Sequence, residues 1–246
     1  MMRQYGGWPV LLLLWLLAVV VGLSTRPMVP VDELRYIAVA WEMWDRGEFL
    51  VPYLNGEPYS HKPPLYFWLI HAGWWVFGVN EWSARLVAPL LTLLVLAATA
   101  QLAARLWPND AVTARLAPPV LFAGVFLVAF FTWLQIDLLL VLMTVLAMTG
   151  IVTVVQGRSF GWVMTGSAIG LGILAKGPVI LLHVLPPALL MPLWRPAGWS
   201  VDTRRWYVGV LVALLLAAVI ALAWALPAAL VGGDAYASAI LWGQTA

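Results

Sequence analysis

Charged residues are few in this 246-residue sequence, and they concentrate in one short stretch. Seven of the 17 residues from Asp32 to Glu48 are charged, whereas charged residues make up 10% of the whole chain. Such a concentration of charge, with Asp32 and Arg35 at its start, indicates a helix face that meets water or a polar cavity. The same residue types also suit a helix cap followed by a solvated helix face, so the pattern alone leaves both interpretations open.

The two lysines of the chain stand out against its eleven arginines. Lys62 lies in the segment HKPP and Lys176 in the segment LAKGP, so each lysine sits at a proline-bounded break between apolar segments. A compact ammonium group at a membrane surface is suited to binding a phosphate. Snorkelling of a lysine toward the lipid headgroups is the alternative interpretation.

Asp137 lies directly between two apolar runs, in the segment TWLQIDLLLVLM. An ionisable residue near membrane depth is costly and indicates a functional site, although a helix cap at a tight hairpin would explain it as well. His61 and His71 share no helical spacing with each other, so they do not specify a metal site.

The elements that position these residues are apolar helices. The chain is 63% hydrophobic with a mean hydropathy of +0.93. Apolar runs of about 20 residues match the thickness of a bilayer at the helical rise. The runs cover roughly residues 8–24, 64–79, 83–107, 116–136, 138–156, 162–175, 178–194 and 207–231. The sequence therefore predicts an all-α, polytopic transmembrane bundle.

Composition also excludes some classes of function. The chain contains no cysteine, which excludes disulfides and thiolate metal sites. It has no basic run interleaved with aromatic residues, so we expect no nucleic-acid partner. Its 16 tryptophans are typical of a protein with much surface at the level of the lipid headgroups.

The charged stretch itself has the pattern of an amphipathic helix, predicted over residues 32–46. Apolar residues recur at steps of three and four from Leu34 to Trp44, through Ile37 and Trp41. Such a helix would lie in the plane of the membrane, with its polar side, including Tyr36, facing water or a cavity.

The topology depends on residues 64–79, a run of 16 residues that follows a double proline. If this run lies at the outer interface, six arginines in later loops join Arg3 on the cytoplasmic side, as the positive-inside rule favours. They are Arg105, Arg115, Arg158, Arg195, Arg204 and Arg205. We therefore predict seven spans, two of them short, with a cytoplasmic N-terminus. Residues 31–63, Asp137 and Lys176 would then share the outer face.

The stretch VDELRYIAVAWEMWDRGEFLVPYLNGEPYSHKPPLYFWL resembles the first outer loop of fold type C glycosyltransferases. More narrowly, it is similar to bacterial transferases that move aminoarabinose from a polyprenyl carrier to lipid A, and to their protein O-mannosyltransferase relatives. The resemblance rests on Asp32-Glu33-x-Arg35-Tyr36, Glu42-Met43, Val51-Pro52, Asn55-Gly56 and Lys62-Pro63-Pro64, with weaker matches at Arg85, Asp137 and LAKGP.

The resemblance implies sugar transfer, with inversion, from a polyprenyl-phosphate donor to a lipid A-like lipid or a protein. The reaction would take place at the periplasmic face of a bacterial inner membrane. The implied catalytic carboxylates are Asp32 and Glu33, and the implied ligands of the donor phosphate are Arg35, Lys62, Arg85 and Lys176. The implied supporting residues are Tyr36, Tyr59, His61 and Asp137. No cofactor is assigned, and a divalent metal is left open. His61 stands where many members of the family carry glutamate, which disfavours a metal role at that position.

The resemblance also divides the chain into four parts. These are a first transmembrane helix (1–24), a periplasmic catalytic loop with interfacial helices (25–82), a bundle of about six helices (83–231) and the start of a periplasmic segment (232–246). Because the family has about twice as many spans, we expect an N-terminal fragment that could lack the acceptor site and be inactive. Two alternatives stay open: a transporter in which Asp137 and Lys176 line the path, and a non-catalytic membrane subunit.

Overall fold

The computed structural model describes residues 7–195 and 202–243, and these residues are mostly helical. The helices are α1 (Trp8–Thr25), α2 (Asp32–Arg46), α3 (Leu65–Phe77), α4 (Glu81–Leu106), α5 (Ala111–Phe122), α6 (Val125–Phe130), α7 (Ile136–Val155), α8 (Gly161–Lys176), α9 (Ile180–Leu189), α10 (Met191–Trp194) and α11 (Thr203–Leu241). Two short antiparallel strands, β1 (Tyr53–Leu54) and β2 (Glu57–Pro58), form a hairpin between α2 and α3.

Five helical stretches are long and apolar enough to cross a membrane. They are α1, α4, α7, α11 and the stretch Gly161–Leu189, which contains both α8 and α9. The shorter apolar helices are α3 and α5. The predicted all-α, polytopic membrane fold is therefore confirmed.

The stretch Gly161–Leu189 is a hairpin, not one straight helix. Trp162, at the start of α8, stacks edge-on against Trp206 with ring centroids 4.8 Å apart. Ala188, near the end of α9, accepts a hydrogen bond of 2.8 Å from the indole of the same Trp206. The two distant ends of the stretch thus meet at one residue. The reversal falls at Gly177, where φ is +77° and a side chain would be strained, and it places Lys176 at the tip of the hairpin.

Small residues allow the central helices α7 and α8 to approach closely. A Cβ added to Gly150 would lie 2.7 Å from the carbonyl oxygen of Gly161, a distance that no side chain tolerates. The Thr165 hydroxyl crosses the same contact and donates to the carbonyl of Ala147 over 3.2 Å. Packing of small residues with a few buried polar contacts is typical of helix association in membranes.

Helix α3 begins and ends at the same end of the bundle as α2. Its first turn lies beside the aromatic ring of Tyr36, which is 6.3 Å from that of Phe67. Its last residue, Phe77, stacks 5.1 Å from Trp82 in the first turn of α4. This arrangement agrees with an interfacial helix, while the sides of the membrane stay a prediction.

The opposite end of the bundle collects arginines. Arg105 ends α4 and contacts the hydroxyl of Thr153 in the last turn of α7, and Gln156 donates to the carbonyl of Arg105 over 3.0 Å. Five more arginines lie at or near the helix ends on this side. Arg158 and Arg195 lie between helices, Arg115 lies in α5, and Arg204 and Arg205 lie in the first turn of α11. Arg3 and residues 244–246, which belong to the predicted topology and the predicted last segment, lie outside the described residues. The four-part division of the chain stays a prediction.

Candidate functional site

Helix α2 spans the residues predicted for it and has a face that the pattern did not reveal. The predicted apolar stripe is partly exposed at Leu34 and Trp41. A second face is buried in the protein and carries Tyr36, Val39 and Met43. Tyr36, predicted on the polar side of the helix, does not face water, because its ring is buried beside those of Tyr66 and Phe67.

Asp32 and Glu33 are neighbours in the sequence, yet their surroundings are opposite. The Asp32 side chain is 58% exposed, and its only ion pair with a described residue is a loose one of 3.9 Å with Arg35. Asp32 follows Val31, whose φ of +82° is strained for a β-branched residue. Glu33 is 1% exposed and turns into the protein.

The Glu33 carboxylate is fully engaged. It accepts hydrogen bonds from the Arg26 guanidinium (3.0 Å), from the backbone N–H of Val29 (2.6 Å) and from the backbone N–H of Leu134 (2.9 Å). Burial alone would raise the pKa of Glu33, but these hydrogen bonds outweigh burial and lower its pKa. A carboxylate with its lone pairs used in this way is suited to holding structure, and it is poorly suited to taking a proton from substrate.

The Arg26–Glu33 pair joins two loops that carry predicted site residues. Arg26 also donates to the carbonyl of Thr132 over 2.8 Å, and its guanidinium lies 5.4 Å from the centre of the Trp133 ring. The pair therefore fixes the start of α2, with Asp32, against the loop that leads into α7, with Asp137. Sequence reasoning did not single out Arg26. Its position just before the charged stretch was the only signal.

Lys62 is the cation that stays available. It is partly buried, and it makes no hydrogen bond or ion pair with any residue in 7–195 or 202–243. Burial lowers its pKa; Lys176 and Arg35 lower it further, whereas Asp137 and Asp32 raise it. The influence of all four on Lys62 shows that the structure brings these predicted site residues together.

Tyr59 and Tyr36 form the floor of this cluster. The Tyr59 hydroxyl is buried without a well-formed hydrogen bond, and the Arg35 guanidinium lies beside it. Burial raises the pKa of Tyr59, which Arg35 partly offsets. Burial also raises the pKa of Tyr36, and the nearby charge of Asp32 adds to that effect. Both phenols therefore stay protonated and can donate hydrogen bonds.

Asp137 and Lys176 form an ion pair between the start of α7 and the tip of the α8–α9 hairpin. Lys176 faces a cleft of about 300 Å³, whose wall includes Ser60, His61, Lys62 and Gly243. Asp137 lies at the polar end of a second cavity of about 550 Å³, whose walls are otherwise almost entirely apolar side chains of α4 to α7. A polar cleft and an apolar cavity thus lie on either side of one ion pair.

Arg85 is placed elsewhere. It is buried and donates to the carbonyl oxygens of Gly22 (3.1 Å) and Arg26 (2.9 Å) at the end of α1. Its guanidinium satisfies the carbonyls that the last turn of a helix leaves unpaired. Arg85 was predicted to bind the donor phosphate, but its two terminal nitrogens are already used on the backbone.

The residues present offer no ready site for a divalent metal. His61 is exposed, and its ring packs 5.4 Å from that of Tyr59. Among the described residues there is no group of three His, Asp or Glu side chains close enough to hold a metal ion. The charged neighbours of His61 in the cleft are Lys62 and Lys176, which would repel a cation.

The chain is similar to proteins of known class. Residues 61–224 match the family described as dolichyl-phosphate-mannose-protein mannosyltransferase. The chain is 30% identical over 236 residues to the undecaprenyl phosphate-alpha-4-amino-4-deoxy-L-arabinose arabinosyl transferase of Edwardsiella ictaluri, and 30% identical over 242 residues to that of Pseudomonas paraeruginosa. Each match covers 92% of this chain and 41% of the relative, so the chain spans about two fifths of the relatives' length.

The solved structures to which the chain is similar are of the same class of protein. The crystal structure of ArnT from Cupriavidus metallidurans in the apo state matches with a TM-score of 0.79 and 26% identity, over 96% of this chain and 44% of that chain. The structure of the same protein bound to undecaprenyl phosphate matches with a TM-score of 0.76. The match with the family model covers most of the chain, including Lys62, Asp137 and Lys176. This chain belongs to the dolichyl-phosphate-mannose-protein mannosyltransferase family.

Proposed function

We propose that this chain carries the donor side of a membrane glycosyltransferase, which moves a sugar from a polyprenyl-phosphate carrier to a lipid or protein acceptor. The observation that carries the proposal is the convergence of Asp32, Arg35, Lys62, Asp137 and Lys176 at one end of the helical bundle. These residues come from four separate parts of the chain: the start of α2, the loop before α3, the start of α7 and the tip of the α8–α9 hairpin.

Lys62 would bind the phosphate of the donor. Its ammonium is unpaired among the described residues and faces the same cleft as Lys176. When the bond between the sugar and the phosphate breaks, negative charge develops on the leaving phosphate. Fixed cations in a water-poor site stabilise that charge in the transition state more than in the ground state.

Asp32 would act on the acceptor. Its exposed carboxylate can accept a proton from an incoming hydroxyl, or orient an acceptor that is already anionic. Attack from the face opposite to the departing phosphate inverts the configuration of the sugar carbon. The acceptor is a lipid A-like lipid or a protein hydroxyl.

The orientation of the chain is part of the proposal. The arginines of the opposite end favour the cytoplasmic side, which would place the cluster at the periplasmic face of a bacterial inner membrane. The donor would then be a lipid-linked sugar and not a nucleotide sugar. The apolar stripe of α2 would keep the cluster level with the lipid headgroups.

Binding of polyprenyl phosphate and transfer of a radiolabelled sugar test the proposal separately. The protein is purified in nanodiscs, and undecaprenyl phosphate is titrated into the unchanged chain, Lys62→Gln and Asp32→Asn. We expect Lys62→Gln to weaken binding, and Asp32→Asn to retain binding while transfer is lost. Asp45→Asn is the matched control, because Asp45 is an exposed residue of the same helix. Equal binding by all the variants would overturn the assignment of the phosphate site.

A further inference from the structure

A second candidate binding site lies on the outer side of α3, away from the charged cluster. It is an open recess of about 420 Å³ lined by Phe49, Trp68, His71, Ala72 and Trp75, which we call the aromatic recess. Three of its five lining residues are large aromatics, and no charged side chain lines it. The proposed transfer reaction makes no use of these residues.

His71 gives the aromatic recess a specific polar character. The side chain is 4% exposed, and its Nε2 lies 2.9 Å from the carbonyl oxygen of Ala40. Because a carbonyl can only accept, Nε2 must carry the hydrogen. Burial lowers the pKa of His71, which keeps the ring neutral, so Nδ1 bears a lone pair. That Nδ1 is buried and has no hydrogen-bond partner among the residues that the structure describes. A buried acceptor left unpaired is destabilising.

The rim of the recess adds a donor and a set of ring faces. Trp75 is 75% exposed, and its indole N–H makes no hydrogen bond within residues 7–195 and 202–243. The indole of Trp68 is already used, since it donates to the carbonyl of Phe49 over 2.7 Å. Aromatic faces attract a cation, whereas the recess offers no positive charge to an anion.

We propose that the aromatic recess binds the headgroup of a zwitterionic phospholipid through its primary ammonium, as in phosphatidylethanolamine. Because that Nδ1 is buried, the ammonium would reach it only after a small rotation of the His71 ring, and it would then donate to Nδ1 while it lies against the rings of Phe49 and Trp68. The lipid phosphate would accept from the free N–H of Trp75. A quaternary ammonium has no N–H to donate, and an anionic headgroup would lack a counter-charge.

The position of the recess fits a bilayer lipid. Exposed apolar side chains follow Trp75 along the chain, from the end of α3 to the start of α4, namely Val76, Phe77, Val79 and Trp82. Tryptophan-rich surfaces of this kind sit at the level of lipid headgroups. A lipid bound here would hold α3 at the interface. It would leave the Lys62–Lys176 cleft open, so this proposal does not depend on the proposed transfer reaction.

Histidine NMR tests the proposal directly, because the chain has three histidines. The full chain is labelled with ¹⁵N-histidine and placed in nanodiscs of phosphatidylcholine, with or without phosphatidylethanolamine, at a pH at which His71 is neutral. His61→Gln and His183→Gln assign the two exposed residues by difference. We expect the unprotonated Nδ1 resonance of His71 to move upfield with phosphatidylethanolamine and with its N,N-dimethyl derivative, both of which carry an N–H.

The other outcomes overturn the proposal. An Nδ1 resonance already at the hydrogen-bonded position in pure phosphatidylcholine would mean that water occupies the recess. An equal shift with phosphatidylglycerol would mean that any hydroxyl donor is accepted. No shift with any lipid would mean that the recess is empty. Trp75→Phe keeps the ring and removes the N–H, so we expect it to reduce the fraction of shifted His71 at a given phosphatidylethanolamine content.

Discussion

Two sets of charged side chains lie at the same end of this bundle, and they differ in whether their polar atoms are already hydrogen-bonded within the protein. Arg26, Glu33 and Arg85 are buried or nearly so, and they bind backbone groups of α1 and of the loops before α2 and α7. Asp32 and Lys62 keep their polar atoms available. Residues 32 and 33 belong to different sets although they are adjacent. The buried set holds the loops in place, and the accessible set is left to meet substrate.

The largest effect is expected from breaking the buried set. Glu33→Leu would leave the Arg26 guanidinium uncompensated and remove acceptors from two backbone N–H groups. Breaking a buried ion pair on one side costs about 3–5 kcal/mol, so the variant should unfold at a clearly lower temperature or fail to accumulate. Thermal unfolding in detergent, followed by gel filtration, measures this.

The matched control for that experiment is the neighbouring residue. Asp32→Leu changes the same kind of side chain one position away, and we expect its unfolding temperature to stay close to that of the unchanged chain. If the Glu33 variant were as stable as the Asp32 variant, the two carboxylates would belong to one set and the contrast between them would be lost.

The second effect concerns the accessible set. Lys62→Gln removes a charged hydrogen bond to the donor phosphate, which contributes about 1.5–3 kcal/mol. This corresponds to a loss of about ten- to a hundredfold in affinity for undecaprenyl phosphate. The stability of the variant should not fall, because Lys62 has no partner among the described residues. If the variant bound undecaprenyl phosphate normally but unfolded at a lower temperature, Lys62 would have a structural role and would belong to the buried set.

The pH dependence of binding sharpens the same contrast. Burial and the nearby Lys176 lower the pKa of Lys62 below the 10.5 of an ordinary lysine. Its positive charge is complete below this lowered pKa and is lost as the pH rises through it. Affinity for undecaprenyl phosphate should therefore fall by a few-fold on the alkaline side, starting below pH 10.5. Lys62→Arg should abolish this fall, since arginine keeps its charge. An identical pH profile for both would exclude Lys62 as the titrating group.

Much of this fold could be predicted because apolar length and proline breaks are local signals. The bounds of α2 and the break at Lys176 follow from such signals. The convergence of Lys62, Asp137 and Lys176 follows from the topology that the positive-inside rule favours. One apolar segment was predicted over residues 116–136, where the structure has α5 and α6 separated by residues 123 and 124.

The division into buried and accessible charges could not be predicted. Glu33 is buried because the loop before α7 supplies the N–H of Leu134, which is 101 residues away. Arg85 donates to carbonyls at the end of α1, about 60 residues earlier in the chain, so its partners are also distant in the sequence. Spacing within the first loop carries no information on partners at that distance, so Asp32 and Glu33 looked equivalent there.

The smallest effect is expected at His61, and it tests whether this residue contributes to phosphate binding together with the accessible set. Its ring is exposed and packs on Tyr59 beside Lys62. Exposed groups near a charge contribute about 0–1 kcal/mol, so His61→Gln should change the affinity for undecaprenyl phosphate by less than about fivefold. His61→Glu should weaken it more than His61→Gln does, because the new carboxylate would pair with Lys62 and compete with the phosphate. Titration of both variants at one salt concentration measures the difference. Tighter binding by the glutamate variant would mean that Lys62 is not the phosphate ligand. Binding of the phosphate would then be assigned to Arg35 and Lys176.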